Sequence, residues 1–181
     1  MSFINNIVRF KTNWFFVCFM MLFFNGHLKA QETDYKSYAL YVYNFMKYIE
    51  WPESQSADNF VIGLFGDSPI SNEFKLLAAQ KKIKGRTIVF KQCKTIDEAA
   101  GCQLLYVTSS KSSSIKTLDE KYKDKSILIV GERDGTVYKG ASISFTTTDE
   151  DELKFEINKK NIDSHKLKIS SSLIKLGTVI K

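Results

Sequence analysis

Asn59-Phe-Val-Ile-Gly-Leu-Phe-Gly66 is the stretch on which the fold turns. A continuous apolar run of strand length, ended by glycine, needs cover on both faces, as a central strand of a parallel sheet has. The pattern then repeats. Asp67-Ser-Pro69 offers a turn and a helix start, and an amphipathic segment with Phe74, Leu76, Leu77 and Ile83 follows until Gly85 stops it. Arg86 to Cys93 (RTIVFKQC) reads as a second strand, and Thr95 to Ala100 as a short helix with Asp97 and Glu98 in its first turn, where the helix dipole favours anions. Cys102 to Thr108 (CQLLYVT) is a third strand, Ser112 to Lys123 a serine-capped helix, and Ser126 to Gly131 (SILIVG) a fourth strand. Strand and helix alternating in this way predict an α/β fold, a three-layer sandwich on a mainly parallel sheet of about four strands.

After Gly131 the period changes from continuous to alternating. Ile143 and Phe145 alternate with Ser142, Ser144 and Thr146, and Leu153, Phe155 and Ile157 alternate with Lys154, Glu156 and Asn158. Asp149-Glu-Asp-Glu152 separates the two runs, so they predict an antiparallel hairpin with one wet face that extends an edge of the sheet. The acids at its tip read as a solvated turn; they lack the spacing of a calcium loop. The tail carries Leu167, Ile169, Leu173, Ile174 and Leu176, with Ser170 to Ser172 able to cap a last short helix.

Upstream, Tyr38-Ala-Leu-Tyr-Val-Tyr-Asn-Phe-Met-Lys-Tyr-Ile-Glu-Trp51-Pro52 is an aromatic amphipathic helix that Pro52 ends near Glu50. Its stripe of Tyr38, Tyr41, Val42, Phe45, Tyr48 and Ile49 predicts a core-facing side. Four tyrosines between Tyr38 and Tyr48 cannot all point inward, so exposed tyrosines and Trp51 are expected to serve a partner or ligand. Still earlier, Arg9 and Lys11 precede an apolar run of eleven, Trp14 to Phe24. That run is shorter than the roughly 20 residues a spanning helix needs. Leu28 and Ala30 fit the positions before a cut at Gln31, so residues 1–30 read as a cleaved secretory signal; an uncleaved anchor is the alternative. Residues 31–181 then form a single domain, long enough to bury a substantial core.

Three of the 26 basic residues and none of the 20 acidic ones precede residue 31, leaving 23 against 20. A net charge near +3 without a dense basic cluster is a poor footprint for nucleic acid. Cys93 and Cys102 remain after the signal. In an oxidising compartment the pair reads first as a disulfide; a metal site would need further ligands, and two buried thiols are the other alternative.

No catalytic residue, metal site or cofactor is predicted. His165 sits among Asp163, Ser164 and Lys166 and reads as a solvated surface residue, and no serine has the setting of an activated nucleophile. Gly63-Leu-Phe-Gly66 lacks the third glycine of a dinucleotide loop. Asp67 and Ser68 lie past the carboxyl end of a central strand, where open α/β sheets bind small ligands. With Tyr41 and Trp51 they form a candidate ligand pocket, so a small-molecule sensor or solute-binding component is the alternative to a protein-binding module.

The blocks Tyr38 to Pro52, Phe60 to Asp67, Cys102 to Val107, Ser126 to Gly131, Phe155 to Asn158 and Leu167 to Leu176 stand in an order that resembles the YfiR/HmsC family of small periplasmic regulators. The resemblance covers nearly all of the chain past residue 30. It implies a non-enzymatic periplasmic protein that binds the external sensor region of a membrane-bound diguanylate cyclase, or of a sensor histidine kinase, with cyclic di-GMP and biofilm formation as the output. It also implies a homodimer, release by an outer-membrane lipoprotein or a redox change, and partner contacts at Phe145, Phe155, Glu156 and Asn158. Members carry two disulfides; here the cysteines suffice for one.

Overall fold

The computed structural model describes residues 33–52 and 59–180; the expected signal, residues 1–30, lies outside them. Asp34 opens the first helix, α1 (Tyr35–Tyr48), by accepting from the amides of Lys36 and Ser37 at 3.2 and 3.4 Å and from the Ser37 hydroxyl at 2.5 Å. These bonds, the hydroxyl first, hold its carboxyl below the usual carboxylate range. Past Tyr48 the chain extends as β1 (Ile49–Glu50).

The predicted alternation follows: β2 (Asn59–Phe65), α2 (Ile70–Gln80), a short β3 (Lys82–Ile83), β4 (Arg86–Cys93), a 3₁₀ turn (Asp97–Ala99) and β5 (Leu104–Val107). Next come a second 3₁₀ turn (Ser109–Ser114), α3 (Ile115–Tyr122), β6 (Leu128–Gly131) and a third 3₁₀ turn (Thr136–Lys139). The hairpin strands are β7 (Ile143–Thr147) and β8 (Leu153–Ile157), and α4 (Lys159–Ser164), β9 (Lys168–Ile169), α5 (Ser171–Ile174) and β10 (Thr178–Val179) complete the chain.

Eight strands form one mixed, mostly parallel sheet in the order β10-β8-β7-β6-β5-β2-β4-β3. Its parallel run, β4-β2-β5-β6-β7, is longer than the four strands expected, because β7 pairs in parallel with β6 before turning back into β8. Alternation along the strands feeds two cores. Leu104, Tyr106, Leu128 and Val130 point to α1 and α2, where Val42, Phe45, Met46 and Phe74 are buried. Leu105, Val107 and Ile129 point the other way, to Ile115, Leu118 and Tyr122 of α3 and to Ala99. Strands buried on both faces are what the unbroken apolar runs require.

Two-residue pairings escaped the sequence reading. Ile49 and Glu50 pair antiparallel with Ile169 and Lys168, β3 pairs with the start of β4, and β10 lies parallel to β8. Helix α4 was also missed; its N-cap is Asn158, whose side chain accepts from the Asn161 amide. No helix among the described residues is long and apolar enough to cross a membrane.

Candidate functional site

The hairpin register sorts its residues into two faces. Ile143 opposes Ile157 and Phe145 opposes Phe155 on one side; Ser144 opposes Glu156 and Thr146 opposes Lys154 on the other. The apolar pairs enter the first core. Phe145 and Phe155 are each 1% exposed, with ring centroids 4.5 Å from Tyr38 and 5.0 Å from Phe45. Expected at the partner surface, both are core residues. The alternation that reveals the hairpin already places them on its apolar side.

Glu156 and Asn158 are half-buried on the polar side. The Glu156 carboxylate accepts from the Ser144 hydroxyl over a long 3.4 Å, and Thr178 of β10 stands opposite it in register. Asn158 does more. Its Oδ1 accepts from the Asn161 amide at 2.9 Å, and its Nδ2 donates to the Val137 carbonyl at 2.9 Å. That second bond ties the turn Thr136–Lys139 to the end of β8. The turn is flanked by Gly135 and Gly140, both with positive φ, and carries Tyr138 at 69% exposure. An exposed tyrosine on a turn tethered to the Asn158 amide has the make-up of an interface anchor. Sequence reasoning missed Tyr138, since no periodic pattern covers the stretch between Gly131 and Ser142. At the start of that stretch Glu132 is held by the Ser109 amide at 2.6 Å and the Tyr106 hydroxyl at 3.2 Å.

Asn158→Ala should cost about 1–2 kcal/mol, because it removes a helix cap and a half-buried hydrogen bond together. Chemical denaturation would check this, and binding data on that variant need the folded fraction measured alongside.

The four residues of the expected ligand pocket do not converge. Trp51 packs edge-on against Phe60 at 4.9 Å and donates to the Gln103 carbonyl at 3.1 Å, at the amino ends of β2 and β5. Asp67 and Ser68 follow the carboxyl end of β2, about 20 Å away along the strand. Ser68 accepts from the Ile70 amide at 3.4 Å and so begins α2. Tyr41 faces the hairpin, donating to the Leu153 carbonyl at 3.2 Å. The tyrosines of α1 are all partly buried, and the exposed large apolar residue on that helix is Leu40.

Cys93 and Cys102 meet beside Gly63. A Cβ at Gly63 would lie 2.7 Å from the Cys102 sulfur and 3.3 Å from that of Cys93, so the glycine makes room for both. The structure holds them as buried free thiols rather than as the expected disulfide. The hydrogen bond with Cys102 draws Cys93 below the ordinary thiol range, while that contact and burial push Cys102 up.

His165 is a correction. It is fully buried, with Nδ1 3.0 Å from the Lys125 carbonyl and Nε2 2.9 Å from Asp119 Oδ1. A ring engaged on both nitrogens reaches no substrate. No group of three or more potential metal-ligating side chains occurs among the described residues.

The domain is α/β, and its hairpin carries a half-buried carboxylate and a half-buried amide, the amide tied to a turn that exposes Tyr138. Residues 35–178 match the family model described as YfiR/HmsC-like, and the chain belongs to that family. No curated protein matches it.

Proposed function

We propose that this chain is a non-enzymatic periplasmic regulator that binds and restrains the external sensor region of a membrane-bound diguanylate cyclase. The polar side of the hairpin, Glu156 and Asn158 with Tyr138, is its contact surface. Family membership carries the reading. Burial of His165 supports it by removing the one histidine in 31–181 from hydrolytic chemistry. Preferential binding to the inactive form of the sensor region keeps the enzyme's output low, and an outer-membrane lipoprotein that takes up the regulator relieves it. A sensor histidine kinase is the other output enzyme the family admits. Dimerisation completes the reading.

Deleting the gene should raise cellular cyclic di-GMP, and supplying it again should lower the level. An unchanged level on deletion sinks the diguanylate cyclase reading in favour of the histidine kinase.

Oxidation in the periplasm would pair Cys93 and Cys102, which the structure holds reduced. Closing a loop of about ten residues should stabilise the domain by roughly 2.5–3 kcal/mol over the reduced form. Non-reducing mass spectrometry of the exported protein should show both thiols protected from alkylation; two alkylated thiols would contradict the pairing.

A further inference from the structure

We propose that His165, as a fully buried imidazolium held against the partly exposed carboxylate of Asp119, forms a clasp that fixes α4 and the turn bearing Tyr138. The Lys125 carbonyl can only accept, so the ring nitrogen 3.0 Å from it, Nδ1, carries a proton. A neutral imidazole has one N–H, which would leave a bare Nε2 facing Asp119 Oδ1 at 2.9 Å. That oxygen already accepts from Asn161 Nδ2 at 2.7 Å. Both contacts of the ring are satisfied when each nitrogen holds a proton, as an imidazolium against a carboxylate. A buried cation is tolerated when it is paired and fully hydrogen-bonded, and here both conditions hold.

The neighbouring charges leave the pairing to these two residues. On α3, Asp119 is ion-paired with His165 and with no lysine or arginine among the described residues. On α4, Asp163 is taken by Lys159 at 2.7 Å. Lys166, next to His165, turns away to the Asp124 carbonyl at 3.5 Å.

Asn161 links the clasp to the surface. Its Nδ2 also donates to the Gly140 carbonyl at 3.0 Å, and its Oδ1 accepts from the Ser142 hydroxyl at 2.7 Å. Asp119, the end of the Tyr138 turn, the start of β7 and α4 thus share one side chain. Loss of the ring proton breaks one of the two histidine bonds and leaves a buried group unpaired, a costly state. The stabilisation belongs to the ring that holds a proton on both nitrogens. The clasp stands without the proposed function; that it firms the partner surface rests on that reading.

The full chain has two histidines, His27 and His165, so a His27→Gln variant isolates one ring. Its nitrogen-15 spectrum at about pH 7 should show a proton on both ring nitrogens; one bare nitrogen overturns the clasp. Asp119→Asn, which keeps the shape but not the charge, should remove the second ring proton from that spectrum, and a ring that stays doubly protonated in the folded variant also overturns the clasp. The ring spectrum decides even if Asp119→Asn fails to fold. Neither readout involves a partner, so failure here is distinct from failure of the proposed function.

Discussion

Alanine at Phe145 or Phe155 is expected to destabilise the protein by about 3–5 kcal/mol, a large part of the stability of a domain this size. The two rings face each other in register across β7 and β8. Phe145 also lies 5.8 Å from Phe45, and Phe155 lies 5.5 Å from Tyr41, so α1 rests on both. Neither site can collapse easily, because helix and strand backbones fix its walls. Urea unfolding would measure the loss. A variant that keeps parental stability yet binds its partner weakly would show that these rings contact the partner rather than the core.

The second large effect should have the opposite profile. Tyr138→Ala combined with Glu156→Ala is expected to weaken partner binding by about 2 kcal/mol, roughly thirty-fold, as loss of an interface anchor does. Stability should change by no more than about 0.5 kcal/mol per substitution. Tyr138 is mostly solvent-exposed, and Glu156 holds a single long bond to Ser144. Titration of the sensor region with the folded double variant would test this; parental affinity would remove the surface from the account.

Legibility from sequence followed the length of each pattern. The apolar run Asn59 to Gly66, the alternation of Ile143 with Phe145, and Pro52 each announced an element that the structure contains. Pairings such as Ile49 with Ile169 left no trace, since two residues carry no period and their partner lies far along the chain. The site was less legible for a related reason. Sequence marked Phe145 and Phe155 by family resemblance, but their side of the hairpin is decided by alternation, and that places them inside. Tyr138 stood in an apparently featureless loop, and its tether is the amide of Asn158, a contact across more than twenty residues. His165 lay among polar neighbours, and its burial depends on Asp119 and Lys125, forty or more residues earlier.

The central claim is that the Tyr138 and Glu156 surface restrains a diguanylate cyclase. The most direct test measures cellular cyclic di-GMP in a strain lacking the gene, supplied with either the parental chain or the folded Tyr138→Ala, Glu156→Ala variant. The account predicts that the parent restores the low level and the variant leaves it high. Equal restoration by both would contradict the assignment of the surface, and a level that never rose on deletion would contradict the restraint itself.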